Sequence, residues 1–365
     1  MGYTGGQASG HILPLFSVHN TLTRACAEKG KHYVDLSGET HWIRHIILQV
    51  DYLASKTGAV IIPAAGFDSV PSDLAVYLGN KMLKSSTGAD ADIEESISSF
   101  ELPAAISGGS YATMLCAMSE VPQNVLAAGR RDYALSTGLR GAPSPPSKLL
   151  YQLPLSSPTI YGGLYIMKHC NRSIVQRTWG LQQMRVNDSC LSEHERNEAR
   201  SQSYGSRFKY DEFMVKPSPV SSIWLSISLA FGFMCMAISP LRWLIAKFLP
   251  QPGEGPSEHQ IQTGYLHIIN ITSSVPEPSK PQTHVRTTIH GKGDAGYALA
   301  AVMLAESALS ILLSYSELPQ WVKGGGVFTP ASALGDTLVK RLEASGRMTF
   351  ESEVVRGVGE SKKSR

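Results

Sequence analysis

Residues 33–73 constrain the fold more than any other segment, because their pattern predicts a strand, a helix, a second strand and the start of a second helix. Residues 33–36 and 59–64 are short apolar runs that suit strands buried on both faces. Between them, apolar side chains recur at the spacing of one helix face, at Ile43, Ile46, Ile47, Val50 and Leu53. A strand, a helix and a strand of this length form a right-handed crossover in a parallel sheet.

A short polar loop follows each of these two predicted strands. The loops are Ser37, Gly38 and Glu39 after the first strand, and Gly66, Phe67, Asp68 and Ser69 after the second. Ligands of open α/β sheets bind just beyond the carboxyl ends of the strands. We therefore expect the two loops to line one crevice, where the carboxylates of Glu39 and Asp68 converge.

Further motifs follow these loops in a fixed order along the chain. YVDLSGE at residues 33–39 and GFDSVPSDL at residues 66–74 come first, followed by segments at residues 107–111, 253–257, 293–297 and 324–335. In this order, from about residue 25 to about residue 350, the chain resembles the saccharopine dehydrogenase-like oxidoreductases, including the trans-acting enoyl reductases of lipid synthesis. The order of several motifs makes the resemblance specific, although no single motif would.

The resemblance implies an NAD(P)H-dependent oxidoreductase that reduces a lipid-linked substrate, such as an enoyl group in glycolipid synthesis. It implies NADP or NAD as the cofactor. The candidate cofactor-binding residues are Ser37, Gly38, Gly66, Phe67 and Ser69. Glu39 and Asp68 are the candidate catalytic acids. Tyr297, from the second half of the chain, is a third candidate that would face them across the cleft.

A purely structural role is the alternative for each candidate residue. The role of Asp68 or Ser69 could be limited to capping the helix after the second strand. The role of Glu39 could be limited to starting the helix between the two strands. Tyr297 could be a packed aromatic side chain. For the whole protein, the alternatives are a catalytically inactive scaffold at a membrane or lipid droplet, without nucleotide binding, and a fragment that does not fold stably.

The predicted fold class is α/β, with an incomplete Rossmann-like parallel sheet and a second α+β domain. The family places a first strand, a glycine-rich turn and a helix before the 33–73 segment, and residues 1–20 carry no such pattern, so we expect a truncated or spliced amino end. We predict a partial NAD(P)-binding domain over residues 1–88 and a substrate and dimerisation domain over residues 89–350. Residues 188–209 are expected to be exposed and poorly ordered, and residues 351–365 to form a disordered tail.

An apolar insertion at residues 217–249 interrupts the second predicted domain. Residues 217–241 contain no charged side chain, and their centre is long enough to cross a membrane. Arg242, Trp243 and Lys247 follow directly, as an interfacial anchor would. The alternative is a buried or dimer-interface helix. We expect a membrane-associated, cytosol-facing protein at a lipid droplet, mitochondrion or plasma membrane, with a homodimer possible.

The GKGDAG segment at residues 291–296 fits a dinucleotide-binding glycine pattern between a predicted strand and a predicted helix. No second buried strand ending in an acidic residue follows that helix. The pattern therefore predicts a structural turn before a core helix.

Composition excludes several other classes of function. A net charge of +3 with 17% charged residues gives no basic surface for nucleic acid. The five cysteines and eleven histidines show no metal-ligand spacing, so we expect no metal site and reduced thiols. The first ten residues have neither a basic start nor an apolar run, so the chain is not expected to be secreted.

Overall fold

A computed structural model describes residues 15–103, 108–248, 255–278 and 281–355. The strands in this part are β1 (Tyr33–Val34), β2 (Val60–Ile62), β3 (Ile93–Glu101), β4 (Tyr151–Gln152), β5 (Tyr161–Gly163), β6 (Lys209–Lys216), β7 (Tyr265–Ser274), β8 (His284–Lys292), β9 (Gly326–Val327) and β10 (Met348–Val355).

The same part of the chain contains fourteen α-helices, a π-helix (Ala295–Leu299) and a 3₁₀-helix (Tyr315–Glu317). The α-helices are α1 (Leu15–Glu28), α2 (Thr40–Thr57), α3 (Val70–Thr87), α4 (Gly108–Glu120), α5 (Gln123–Gly129), α6 (Lys168–Val186), α7 (Glu193–Gln202), α8 (Pro219–Ala237), α9 (Ser239–Ala246), α10 (Glu258–Thr263), α11 (Ala300–Leu313), α12 (Gln320–Lys323), α13 (Pro330–Ala333) and α14 (Gly335–Ala344).

A three-stranded sheet in the order β1-β2-β9 forms the first layer, and both of its strand pairs are parallel. Helix α2 connects β1 to β2, and the apolar face predicted for it is buried beside this sheet. The core there includes Ile43, Ile46 and Ile47 of the helix and Ile61 of β2. The predicted strand–helix–strand unit is therefore confirmed.

A seven-stranded sheet in the order β10-β8-β7-β3-β6-β5-β4 forms the second layer. Only the pair β3–β6 is parallel, and the other pairs are antiparallel. A small parallel sheet beside a larger mixed sheet confirms the predicted fold class, an α/β protein with a second α+β part.

Helix α3 joins the two layers, because it leaves β2 of the first sheet and packs on β7, β8 and β10 of the second. Leu74 and Ala75 are fully buried in the largest hydrophobic core. A Cβ atom at Gly79 would lie 2.5 Å from the Thr272 hydroxyl oxygen, so the glycine allows the helix to approach β7 closely. Asp68 therefore lies just before a helix that packs along its length on the large sheet.

The sheets do not follow the predicted domain limits at two places. Strand β9 belongs to the first sheet although it comes from the segment assigned to the second domain. Strand β10 pairs with β8 as far as Val355, so residues 351–355 are not part of a disordered tail. Residues 356–365 lie outside the described part of the chain, as do residues 1–14.

The polar segment at residues 188–209 is ordered, which corrects our expectation of poor order. Its centre forms α7, and Ser192 and Glu195 build a capping box at its start, with the Ser192 hydroxyl accepting from the Glu195 N–H. Ala199 turns inward and is 1% exposed. The capping box stabilises the start of α7. Because Ala199 is the single buried apolar residue of this helix, the periodicity of apolar residues could not predict it.

Arg177, on α6, holds β9 in place. Its side chain is 1% exposed, and it donates to the carbonyl oxygens of Leu135 at 3.1 Å and Val327 at 2.8 Å. Asp51, on α2, accepts from the Val327 N–H at 2.6 Å. The short strand therefore depends on side chains of two helices as well as on β2.

The Arg177→Met variant should lose about 2–5 kcal/mol of unfolding free energy, because two buried carbonyl groups would lose their donor. Urea unfolding measures this loss. The matched control Arg207→Met removes the exposed ion pair with Glu94 and should cost less than about 1 kcal/mol. Equal losses in the two variants would contradict a structural role for the buried arginine.

Candidate functional site

The loops after β1 and β2 touch each other where Gly38 faces Asp68. A Cβ atom at Gly38 would lie 2.8 Å from Asp68 Oδ2 and 3.5 Å from Cys170 Sγ of α6. Such distances leave no room for a side chain, so the glycine permits the close approach. The two predicted loops therefore meet in one crevice, which we call the acidic crevice, formed by residues 35–39 and 64–69 beside the start of α6.

Asp35 connects the two loops, although the sequence pattern did not mark it as a site residue. Its Oδ1 accepts from the N–H groups of Ser37 at 2.8 Å and Ala64 at 3.2 Å. Its carbonyl oxygen accepts from the N–H of Ala65 at 2.7 Å. The signal in the sequence is an acidic residue within the apolar run at residues 33–36, whereas β1 ends at Val34.

Glu39 occupies the N-cap position of α2 but does not cap the helix with its side chain. Its Oε2 accepts instead from the Ser37 hydroxyl at 2.6 Å. Both residues are half-buried, as is Asp68, so the crevice reaches the protein surface. Glu39 therefore starts α2 with its backbone, as the structural alternative expected, because its carbonyl oxygen accepts from the N–H groups of Trp42 and Ile43. Its carboxylate is engaged with Ser37 instead of the helix end.

Three carboxyl groups share the acidic crevice, and their environment makes them hard to ionise. Burial raises the pKa of Asp68 to about 7, and the charges of Glu39 and Asp35 contribute to this rise. Burial is also the main cause that raises the pKa of Glu39 and of Asp35. An aspartic acid that holds its proton near neutral pH can donate that proton in a reaction.

The other residues predicted for the second loop are engaged in packing. Ser69 is fully buried, and its hydroxyl donates to Asn171 Oδ1 at 3.4 Å without capping α3. A Cβ atom at Gly66 would lie 2.1 Å from a methyl carbon of Leu36. Phe67 packs against the largest hydrophobic core. Their role in binding a cofactor stays a prediction, and their contacts show how they shape the loop.

Tyr297 is not joined to the acidic crevice by any hydrogen bond among the described residues. Its N–H donates to Asp294 Oδ1 at 2.9 Å, and its hydroxyl oxygen would lie 2.5 Å from a Cβ atom at Gly255. The predicted place of Tyr297 across the cleft from the two acids therefore finds no support in its contacts. The periodicity of apolar residues could not have revealed where Tyr297 lies relative to the two acids, because it carries no information on how the two sheets pack.

The GKGDAG segment forms a capped turn before the π-helix, as the sequence predicted. Asp294 Oδ1 accepts from the N–H groups of Gly296 and Tyr297, at 3.0 and 2.9 Å. A carboxylate thus occupies the N–H groups that a pyrophosphate would need at a dinucleotide-binding turn.

Burial and Glu120 are the main causes that raise the pKa of Cys116, on α4, to about 11, and the charge of Glu39 adds to the rise. The Ser-Gly-Gly-Ser-Tyr motif at residues 107–111 precedes this cysteine. Residue 107 and the side chains of residues 108–112 lie outside the described part of the chain.

Two cavities in the described residues lie outside the acidic crevice. One, of about 300 Å³, lies between α2 and α5 and is lined in part by His41 and Arg44. The other, of about 360 Å³, is lined in part by Tyr151 and Asp211 at the β4 end of the large sheet. Within the ranges that the structure describes, no group of three His, Cys, Asp or Glu side chains is placed to hold a metal ion.

Comparisons with known proteins identify the family of this chain. No family model matches it. A protein of Mycobacterium tuberculosis named as a trans-acting enoyl reductase is 32% identical over 342 residues, which are 89% of this chain and 75% of the relative. The chain belongs to the trans-acting enoyl reductase family. Relatives of the same name from Mycobacterium bovis and Mycobacterium ulcerans are 31% and 30% identical, with the same coverage.

The family assignment confirms the resemblance that the ordered motifs indicated. It also supports an oxidoreductase-like role for this chain. The apo structure of saccharopine dehydrogenase (L-Glu forming) from Saccharomyces cerevisiae aligns with 94% of this chain and 84% of its own, with 11% identity and a TM-score of 0.44. That likeness is too weak to add to the evidence of the strands themselves.

Substituting Gly38 tests the close approach of the two loops. The Gly38→Ala variant should lose about 1–3 kcal/mol of unfolding free energy, because its methyl group would overlap Asp68 Oδ2. A Cβ atom at Gly232, in α8, would have no other atom within 4 Å, so Gly232→Ala should be neutral or slightly stabilising. Denaturant unfolding of both variants checks the contrast, and a neutral Gly38→Ala would refute the contact.

The stability of the protein should depend on the protonation of Asp68. Folded Asp68 keeps its proton up to about pH 7, whereas an unfolded aspartate loses it near pH 4. Between these values the folded state binds more protons, so the contribution of Asp68 to stability is present at low pH and is lost as the pH rises through about 7.

The Asp68→Asn variant lacks this dependence. The difference between its unfolding free energy and that of the wild type should change by about 1 kcal/mol in favour of the variant from pH 5 to pH 8. This value allows for solvent screening of the half-buried carboxyl group. Asp73 and Glu212, whose pKa values burial also raises to about 7, remain in both proteins. The exposed control Asp188→Asn should keep the wild-type slope, and an unchanged slope in Asp68→Asn would contradict the raised pKa.

Proposed function

We propose that this protein is an oxidoreductase that reduces a lipid-linked enoyl group with a reduced nicotinamide cofactor. Two observations support the proposal. Its relatives are named as trans-acting enoyl reductases, and the acidic crevice lies at the carboxyl ends of parallel strands, where α/β proteins bind ligands. The observation that supports the chemistry is the packing of Gly38 against Asp68, an aspartic acid whose pKa is raised by burial to about 7.

The residues of the acidic crevice fit the ribose and carboxamide groups of a nicotinamide nucleotide. The crevice loops contain carboxylates and hydroxyls but no lysine or arginine, so they offer acceptors for hydroxyl and amide donors. Phosphates would be repelled there and need cations. Arg44 lines the cavity between α2 and α5, and the charge of Arg130 acts on His41 beside it. These cations suit the phosphates of the same nucleotide.

Asp68 is the proposed proton donor. Reduction of an enoyl group adds a hydride to one carbon and a proton to the carbon beside the carbonyl. The bound cofactor, when present, supplies the hydride. With a pKa of about 7, Asp68 is protonated in a large fraction of molecules at neutral pH and can release the proton when the substrate carbon accepts it.

Glu39 and Ser37 are positioning residues in this proposal. The negative charge of Glu39 is one cause of the high pKa of Asp68, so ionised Glu39 keeps the proton on its neighbour. The Ser37 hydroxyl holds the Glu39 carboxylate in place through its 2.6 Å hydrogen bond. The two acids thereby take different roles, because their surroundings differ.

Cofactor binding and turnover test the proposal separately. Quenching of NADH or NADPH fluorescence measures binding to the wild type, and a trans-2-hexadecenoyl thioester serves as the probe substrate. Asp68→Asn should bind the reduced nucleotide within about threefold of the wild type but lower kcat by about 10²–10⁴. The control Glu94→Gln, at the ion pair with Arg207, should retain wild-type activity.

Glu39→Gln gives a second test of the same chemistry. It should shift the descending limb of the kcat–pH profile to lower pH, since the charge that favours protonated Asp68 is removed. A folded wild type without saturable nucleotide binding would reject the oxidoreductase in favour of the inactive scaffold. Turnover that survives Asp68→Asn at the wild-type rate would reject Asp68 as the proton donor.

A further inference from the structure

Helix α8 has the opposite polarity to a helix of a water-soluble protein. Two of its serines, Ser222 and Ser226, face the protein and are fully buried, whereas Ser228 is exposed. Its large apolar side chains face outward, with Trp224 71% exposed and Phe231 60% exposed. A surface helix in water places its apolar stripe against the core and its polar residues outside. This surface is therefore built for contact with an apolar environment.

Two helices in the described residues are long and apolar enough to cross a membrane, and they differ in burial. Of the apolar window at residues 295–313, which includes α11, 33% is buried, and Met303 and Ile311 pack in the core. Only 17% of the apolar window of α8 is buried. Helix α8 is therefore not buried within the chain itself, and the predicted alternative of a dimer-interface helix stays a prediction.

The exposed apolar surface continues from α8 through α9. Its large side chains are Val220, Trp224, Ile227, Phe231, Phe233, Met234, Ile238, Leu241, Trp243, Leu244 and Phe248. The chain has no acidic residue between Glu212 and Glu254, whereas Lys216, Arg242 and Lys247 lie within that segment. An apolar surface flanked only by cations is complementary to an anionic lipid layer.

The first half of α8 is fixed to the large sheet. The Ser226 hydroxyl donates to the Leu149 carbonyl at 2.8 Å and accepts from the Leu164 N–H at 2.9 Å. A Cβ atom at Gly163, in β5, would lie 2.3 Å from the Ser222 carbonyl oxygen. The helix and the strand are therefore in backbone contact, and this half of α8 cannot be surrounded by lipid.

The part of α8 beyond this contact is too short to cross a bilayer. Residues 227–237 would measure about 16 Å at 1.5 Å per residue. The hydrocarbon core of a bilayer is about 30 Å thick, so this length matches one leaflet. The Lys247 ammonium lies 3.6 Å from the centre of the Trp243 ring, and such an amphipathic pair suits the membrane–water interface.

We infer that α8 and α9 dock the protein on one leaflet of an anionic lipid bilayer without crossing it. The inference stands apart from the proposed enzyme, because it uses no residue of the acidic crevice. The exposed side chains of α8 include both Phe231 and Phe233, which project on different sides of the helix at about 100° per residue. This breadth favours a lipid surface over the single apolar seam by which a second copy would pair.

Flotation with lipid vesicles tests the inference on the full chain. The wild type should bind vesicles of phosphatidylcholine with phosphatidylglycerol, and alkaline carbonate should release it. The double variant Trp224→Ser/Phe231→Ser should bind at least about tenfold more weakly. Arg242→Gln/Lys247→Gln should lose about tenfold of the preference for anionic over neutral vesicles. Emission of Trp224 and Trp243 should be quenched by brominated lipid.

A matched control removes two exposed apolar side chains elsewhere. Tyr52 and Leu312 are 75% and 74% exposed, and Tyr52→Ser/Leu312→Ser should leave vesicle binding unchanged. Thermal unfolding of all variants confirms that they are folded. Equal binding by the α8 variant and the wild type would overturn the inference, as would retention of the wild type in carbonate-washed vesicles, which indicates a spanning helix. A dimer that the α8 variant dissociates, with no vesicle binding, would assign the surface to a second copy instead.

Discussion

The packing of the Gly38 backbone against the Asp68 carboxyl group is the contact on which the acidic crevice depends. It brings together loops that leave two different strands, and it leaves room for no side chain between them. Because Cys170 Sγ would lie 3.5 Å from a Cβ atom at Gly38, α6 closes the third side. The high pKa of Asp68 follows from this crowding, since the group is withdrawn from water beside two other carboxyl groups.

A buried polar network holds the elements around this contact in place. Asp73, fully buried on α3, accepts from the Thr178 hydroxyl of α6 at 2.6 Å and from the Ala331 N–H of α13 at 2.8 Å. The network thus connects three helices, two of which also border the acidic crevice. Buried polar groups are costly unless they are paired, so full pairing specifies one arrangement of these helices. This network therefore fixes α3 and α6, the two helices on either side of the Gly38–Asp68 contact.

The sequence was most informative where a periodic pattern decided the structure. The helical spacing of Ile43, Ile46 and Ile47 predicted α2 and its buried face, and the apolar run at residues 59–64 predicted β2. Because the crossover places both strand ends on one edge, the meeting of Glu39 and Asp68 in one crevice also followed from the pattern. These conclusions rest on local residues whose roles do not depend on distant contacts.

Features that depend on distant contacts are not encoded in local sequence patterns. Strand β9 consists of Gly326 and Val327 and exists because β2, Asp51 and Arg177 bind it, so no local propensity marks it. Ser222 and Ser226 of α8 are buried, and Ser222 lies against Gly163 of β5, a contact that composition alone could not reveal. The position of Tyr297 depends on how the two sheets pack, which no period in the sequence encodes.

Titration of Asp68 itself tests the central claim most directly. Carbon-13 NMR of aspartate-labelled protein, with Asp68→Asn used to assign the signal, follows this carboxyl group in the wild type and in Glu39→Gln. We predict a midpoint near pH 7 in the wild type and a lower midpoint in Glu39→Gln, because the two acids share one crevice. A midpoint near pH 4 that does not respond to Glu39→Gln would contradict this prediction.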